Sequence, residues 1–338
     1  MRAMLCIVIL SVLLSLLVGG CQAIAEDQAL QHYERGRVFY EQGDYEAALA
    51  ELAKAIQVAP TFAPAYTAAG DIHRRQGDLA QAEASYVAAC EVDPYAFRPH
   101  YNLGVTYQML AEAARAVERF DHYLRAAVEV YLRAVTLTPS DFDTNLNLSA
   151  CYFQLGKYRL AEQYCRAALK IDGDSPEAFS NLGIILDGQN RLYEAIAAYK
   201  ESLELDIHQP NLLLNLGSTY LRQGALKAAL NSFKAAAAEA PDEMAPWEQM
   251  GVCFYHMGDL EAAESAYLKA LEINPRSASS HRGIGVVYMT QFMNDKADHE
   301  LRRKALAAWS RSLEIDPQQA DLNSLVAKYT PKPRVPQL

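Results

Sequence analysis

The sequence predicts an all-α array of helical hairpins in tandem, and three recurring features predict it. Gly36, Gly70, Gly104, Gly183, Gly217, Gly251 and Gly285 are separated by 34 residues everywhere except for one gap of 79. A small residue, an aromatic and a second small residue follow at fixed distances: Ala82, Tyr86 and Ala89 after Gly70, Ala229, Phe233 and Ala236 after Gly217, and Ala263, Tyr267 and Ala270 after Gly251. Pro94, Pro241 and Pro275 then close those units. A fixed period of this length means stacked supersecondary units, each too small to bury its own apolar face and dependent on its neighbours. Function is therefore expected on a surface and not in a closed pocket.

Each element follows from the same beat. The spacing of small residue, aromatic and small residue is helical and puts one apolar stripe on each segment. The small residues let two helix backbones approach closely, and the aromatic fills the groove beside them. Proline ends the second helix, because it lacks an N–H and disfavours helical geometry in the residue before it. Gly43, Gly77, Gly156, Gly224 and Gly258 stand seven residues after the marker positions, where a tight turn between helices is needed. One unit is two antiparallel helices and a turn.

This pattern resembles the tetratricopeptide repeat, with eight repeats at 29–62, 63–96, 97–141, 142–175, 176–209, 210–243, 244–277 and 278–319. The fourth carries Ser149 where its siblings have glycine, and the fifth has Ile207 where they have proline. The resemblance covers nearly all of the chain after its leader. It implies a right-handed superhelical solenoid with a concave inner face and a broad role in protein binding.

Two repeats break the period. In the third, Ala116, Phe120 and Tyr123 fit the second-helix pattern, and so do Ala127, Tyr131 and Ala134 eleven residues later. Eleven residues are about three helical turns, and the stretch 105–138 has neither glycine nor proline. One long second helix is predicted there, as a projecting element or as a neutral insertion. The eighth repeat gains eight residues near 294–304, a run of mixed charge expected as a solvated loop or a partner contact. An amphipathic segment at 322–329 is expected to cap the last open face, since repeat arrays need a terminal cover. Residues 331–338 are expected to be a disordered tail.

The leader is the second strong signal. Arg2 precedes an uncharged apolar run at 5–18, the size of a signal-peptide core and short for a membrane span. The run ends in Val18, Gly19, Gly20 and Cys21, which resembles a bacterial lipobox. That resemblance implies cleavage after residue 20, a diacylglyceryl group on Cys21 and stable anchoring by two or more acyl chains. The alternative is an uncleaved span reaching to about Ala25. Gln22 is not the aspartate that retains many such lipoproteins in the inner membrane, so the expected location is the outer membrane, facing the periplasm. Residues 21–28 are expected to form a short linker.

Composition limits the partners. The net charge is −10, and loss of Arg2 with the leader makes it −11. Nucleic acid is excluded as an expected partner, and so is an anionic membrane bound by charge alone. Cys90, Cys151, Cys165 and Cys253 fall inside the helical pattern as small core residues. No cofactor, metal site or catalytic constellation is expected. Asp295, Asp298 and His299 lack a further ligand at metal-binding spacing, and the Gly283 and Gly285 pair lacks the third glycine of a phosphate loop.

Asn102, Asn147, Asn181 and Asn215 stand two residues ahead of four successive marker positions, with Gln249 next. In the family's peptide-gripping members, asparagines at this place look like backbone clamps, each able to offer a donor and an acceptor to one peptide unit. Asparagine is also common there without a ligand. The neighbouring positions Val105, Leu146, Phe153, Ile184, Leu214, Leu221, Val252 and Tyr255 are expected to line an apolar groove. A two-carboxylate clamp of the chaperone-binding kind is not expected. Arg37, Arg74 and Arg98 are present, but its asparagine partners are missing from the first two repeats. The expected function is a non-enzymatic, lipid-anchored envelope scaffold docking an extended segment of a protein partner, similar in plan to pilotins that assemble an outer-membrane or pilus machine. An adaptor for peptidoglycan-active enzymes is the alternative, with an undetected transferase activity a remote third.

Overall fold

The structure is a computed structural model describing residues 23–114 and 116–330. Cys21, the leader and the tail at 331–338 lie outside the described residues. All regular structure among the described residues is helical. The chain divides after Gly173 into two compact units.

The first unit holds α1 (23–41), α2 (Tyr45–Val58), α3 (Ala63–Gln76), α4 (Leu79–Val92), α5 (Phe97–Ala113), α6 (Val117–Leu137), α7 (Phe142–Gln154) and α8 (Tyr158–Ile171). The second holds α9 (Pro176–Gly188), α10 (Leu192–Leu205), α11 (Pro210–Arg222), α12 (Leu226–Glu239), α13 (Met244–Met257), α14 (Leu260–Ile273), α15 (Ala278–Asn294), α16 (His299–Ile315) and α17 (Ala320–Tyr329). Within each unit the odd-numbered helix packs on the following even one as a hairpin, and each hairpin packs on the next.

The hairpin turn is made by left-handed backbone. Gly43, Gly77, Gly156, Gly224 and Gly258 have φ between 69° and 82°, and Asn190 takes the same place in the fifth repeat at φ 61°. After three of the glycines an aspartate caps the next helix: Asp44, Asp78 and Asp259 accept from the N–H of Ala47, Gln81 and Ala262. Such a cap contributes about 1 kcal/mol.

The marker glycines exist because an aromatic ring occupies the space of their missing side chain. A Cβ on Gly70 would lie 2.6 Å from Tyr86 Cε1, one on Gly183 2.4 Å from Tyr199 Cδ1, and one on Gly285 2.3 Å from Trp309 Cδ1. The first repeat is looser, with Leu52 Cγ 3.1 Å from the same point on Gly36. In the fourth repeat both partners change together. Ser149 stands opposite the small Cys165, and the Ser149 hydroxyl donates to Ala161 O at 2.9 Å. The departure at Ser149 is thus a volume exchange.

The two irregular repeats and the expected linker differ from the sequence expectation in part. The third repeat has the long second helix expected of it, α6 with 21 residues against 14 for α8, but its first helix α5 is longer too, with 17 residues against 13 for α7. The extra residues lengthen both arms of the hairpin, with a break at 114–116. Tyr131 fills the space against Gly104 and is fully buried, as are Ala127 and Ala134, whereas Phe120 and Tyr123 remain half-buried. In the eighth repeat the charged run is divided: 295–298 is a largely exposed turn, as expected, whereas 299–304 is helix, because α15 and α16 each reach 17 residues. The cations of that run lie over rings, Arg302 at 5.5 Å from the Phe292 centroid and Lys304 at 5.5 Å from that of Tyr288. At the other end the described chain is already helical at residue 23, so residues 23–28 of the expected linker are helix.

The C-terminal cover is α17. Leu322 is fully buried and packs with Trp309, Met289 and Phe292, joined by Leu325, Val326 and Tyr329.

Ile207, standing where the siblings have proline, leaves the α10–α11 loop tied by a different device. His208 Nδ1 lies 2.8 Å from Glu239 Oε2 on α12. The hydrogen bond to that carboxylate raises the histidine above its ordinary value of 6.5. A raised folded-state pKa means that the contribution is present below pH 6.5 and is lost as pH rises through the folded value. An NMR titration should place His208 above the ordinary value, and Glu239→Gln should return it there; an unchanged titration in the variant would exclude the contact.

Candidate functional site

The first helices of the N-terminal unit, α1, α3 and α5, line an open cavity of about 870 Å³, with Leu52 of α2 at its base. Its rim carries Arg37, Arg74, Arg75 and Arg98 against Glu41 and Asp71, and its floor carries Leu52, Ala68, Ile72 and Met109 with Tyr33 and Tyr40. A second cavity of about 250 Å³ shares Tyr33, Ala68, Asp71 and Arg98 with it and runs on to Pro64 and Pro99.

Asp71 organises the site. Its Oδ1 accepts from Tyr86 Oη at 2.6 Å and from Asn102 Nδ2 at 2.8 Å, and its Oδ2 accepts from Arg98 Nη2 at 2.9 Å. Arg74 approaches Asp71 at 3.8 Å and donates from Nε to Tyr86 Oη at 3.3 Å. Burial, with Asp71 beside it, pushes the Tyr86 phenol above its usual range, so it remains a donor. Arg75 is held by Tyr40 Oη at 3.0 Å and lies over the Tyr40 and Tyr45 rings at 5.6 and 5.8 Å. Arg37 reaches Glu34 at 3.3 Å and Glu41 at 3.9 Å, and its side chain is 51% exposed. Arg74, Arg75 and Arg98 are thus each held by a side chain of the site, and Arg37 and Arg98 remain largely exposed.

The expected amide positions fall on successive first helices in each unit. In the first, Asn102 on α5 is 6% exposed and committed to Asp71, while Asn147 on α7 is half-buried and bonded towards Tyr101 and Tyr131. In the second, Asn181 on α9 and Gln249 on α13 are half-buried and Asn215 on α11 is exposed. Phe153, Ile184, Leu214, Leu221 and Tyr255 are half-buried. Phe153 packs on Tyr158 with centroids 5.6 Å apart, Leu214 and Leu221 lean on the cluster around Phe233, and Tyr255 lines a cavity of about 250 Å³ with Val252 and Val286. Leu146 is 5% exposed and belongs to the core, contrary to the groove position expected for it. Beside α9, Thr219 donates to Asp187 at 2.9 Å and Arg222 is held by Asp187 and Asn190.

Sequence reasoning set the arginines aside. The signal was present in Arg37, Arg74 and Arg98 on three successive first helices, but they occupy different repeat phases and form no ladder. Burial pushes the thiols of Cys151 and Cys165 up to about 12 and that of Cys253 up to about 11, values of inert core cysteines. Among the described residues no group of three or more histidine, cysteine or acidic side chains is placed to hold a metal.

A family model described as the cilia and flagella-associated protein 70 C-terminal domain matches residues 21–242, and a tetratricopeptide repeat model matches residues 246–277. The chain belongs to this tetratricopeptide repeat family. The repeat protein is 26% identical over 234 residues to mouse superkiller complex protein 3, covering 65% of this chain and 14% of that one. It is 24% identical over 237 residues to mouse BBSome complex member BBS4, covering 60% of this chain and 44% of that one. The tetratricopeptide array therefore spans less than half of these relatives' own length. Among solved structures, Pseudomonas aeruginosa PilF superposes with a TM-score of 0.52 at 20% identity, covering 64% of this chain and 94% of that chain. At that identity the likeness is one of fold. The tetratricopeptide array is a protein-interaction scaffold.

Proposed function

We propose that the chain is a non-enzymatic, lipid-anchored scaffold of the cell envelope, probed by an extended segment of a partner protein along its first helices and acting as a pilotin-like assembly factor. The observation that carries the docking reading is the cavity spanning α1, α3 and α5, whose polar rim and apolar floor suit a peptide backbone with its side chains. The anchoring reading rests on Arg2, the apolar run 5–18 and the Val18–Cys21 sequence. With α1 helical from residue 23, Arg37 lies 14 residues along the helix, about 21 Å at 1.5 Å per residue. The docking face would stay close to the bilayer.

Two measurements test this in the native host. Cys21→Ala should release the protein from the membrane fraction and leave its envelope multimer misplaced; unchanged fractionation and assembly would exclude the anchor. Photo-crosslinkers at Tyr33 and Asn215 should capture a partner peptide, whereas a crosslinker at Tyr193, 78% exposed on the second helix of its repeat, should not. A captured peptidoglycan hydrolase would replace the pilotin-like role with an adaptor role, and capture of nothing at either position would exclude the docking reading.

A further inference from the structure

We infer that the cavity of the N-terminal unit selects an extended peptide segment carrying at least two acidic side chains, a specificity that rests on the docking reading above. The chain as a whole is acid-rich, at −10, yet this cavity collects four arginines against two carboxylates. Charge of that sign in that place is complementary to an acidic partner and opposite to the chain's net charge, so an acidic segment is favoured at this cavity over the acid-rich remainder of the surface. The arginines are also organised for the task. Arg74 is held at Asp71 and Tyr86, and Arg75 is stacked on Tyr40 and Tyr45, so their guanidinium planes are set before a ligand arrives. Arg37 and Arg98 are 51% and 72% exposed. Arg98 is bonded to Asp71 through Nη2 and Arg37 is paired with Glu34 and Glu41, and both present guanidinium surface to solvent where a carboxylate can add to the existing pair. Guanidinium groups take carboxylates bidentately, with charge-assisted bonds about twice as strong as neutral ones.

The occupant is a peptide and not a free anion, because the same cavity has an apolar floor at Leu52, Ile72 and Met109 and two tyrosines. The acidic groups are internal side chains and not a chain terminus, because the arginines come from three successive helices and the smaller cavity continues past Arg98 to Pro99. A segment crossing those helices meets Arg37, Arg74 and Arg98 in turn. Asp71 gives the site its selectivity. It ties down Asn102 and Arg98 and would itself repel a carboxylate placed directly on it, so the acidic side chains must straddle it.

Selection of a randomised ten-residue peptide library on the full chain tests this. The expected result is enrichment of sequences with two Asp or Glu residues, followed by weakening of about tenfold when both are replaced by Gln or Asn. Binding should also weaken as salt rises from about 0.05 to 0.5 M. Arg37→Glu, on an exposed side chain, should abolish the enrichment while circular dichroism and thermal midpoint stay at wild-type values. Neutral enriched sequences would overturn the acidic specificity, and if those same peptides crosslink at Tyr33 the docking reading stands without it. Binding lost on C-terminal amidation but indifferent to Glu→Gln would also overturn it, by assigning the site to a terminal carboxylate. Failure to enrich any sequence would overturn both readings together.

Discussion

Gly183→Ala is expected to destabilise the second unit by about 3 kcal/mol, the upper end for a group forced into a packed core. The added Cβ would stand 2.4 Å from two ring atoms of Tyr199, which is itself 2% exposed and cannot turn aside. Either α9 moves away from α10, exposing the Ala195 and Ala198 contacts, or the ring leaves its site; both lose packing on each side of the hairpin. The fourth repeat shows how the conflict is relieved, since Ser149 coexists with Cys165. Gly183→Ser with Tyr199→Cys should therefore lose less than the two single changes added together, a coupling that a double-mutant cycle in urea would read directly. The reverse substitution, Cys165→Tyr opposite Ser149, should be as harmful as Gly183→Ala and be relieved by Ser149→Gly. Wild-type stability of Gly183→Ala would show that the ring and the glycine are not the reason for one another.

Leu322→Ala is the second large expectation, with a loss of about 3 kcal/mol from a fully buried leucine at the end of the array. The loss falls on one short helix, so the outcome is local detachment of α17 and not global unfolding. Trp309, 2% exposed and facing Tyr329 at a centroid distance of 6.2 Å, reports it. In a Trp247→Phe background, tryptophan emission should move to longer wavelength, and amide exchange should quicken in α16 and α17 while α11 and α12 keep their protection. That gradient is what nearest-neighbour stacking produces. Uniform loss of protection through α9–α17 would mean that the unit opens as one body.

The repeat plan was legible because its causes are local. A helix face recurs every few residues, a left-handed glycine closes each turn, and the glycine and its ring lie a constant 16 positions apart in the regular repeats, as at Gly70 and Tyr86. The third repeat shows where this stops. Phe120 stands at that distance from Gly104, and Tyr131 stands eleven residues further on. Both fit the helical pattern equally well, and no glycine or proline marks the break at 114–116. The choice of Tyr131 sets the turn, for once that ring enters the space over Gly104 the two arms must lengthen together to stay paired. The helical part of the charged run in the eighth repeat, 299–304, is hidden from the pattern for a related reason. Long cations count as polar in a sequence pattern, yet their stems and charges cover Phe292 and Tyr288.

The amide ladder and the arginine cavity divide in the same way. Spacing alone places Asn102, Asn147, Asn181, Asn215 and Gln249 at one phase of the repeat, but only side-chain packing gives Asn102 to Asp71 and leaves Asn215 exposed. The sequence by itself determined the all-α hairpin array, its turns and the glycine-to-ring complementarity, because each is a contact repeated at fixed chain separation. The tertiary structure alone decided how the eleven extra residues divide between α5 and α6 and which four arginines face one cavity. Arg98 meets Asp71 across 27 residues and Asn102 meets it across 31. No other repeat carries an acid at the phase of Asp71, where Arg37, Val105, Ala150, Ile184, Ser218, Val252 and Val286 stand, so no period could have announced these contacts.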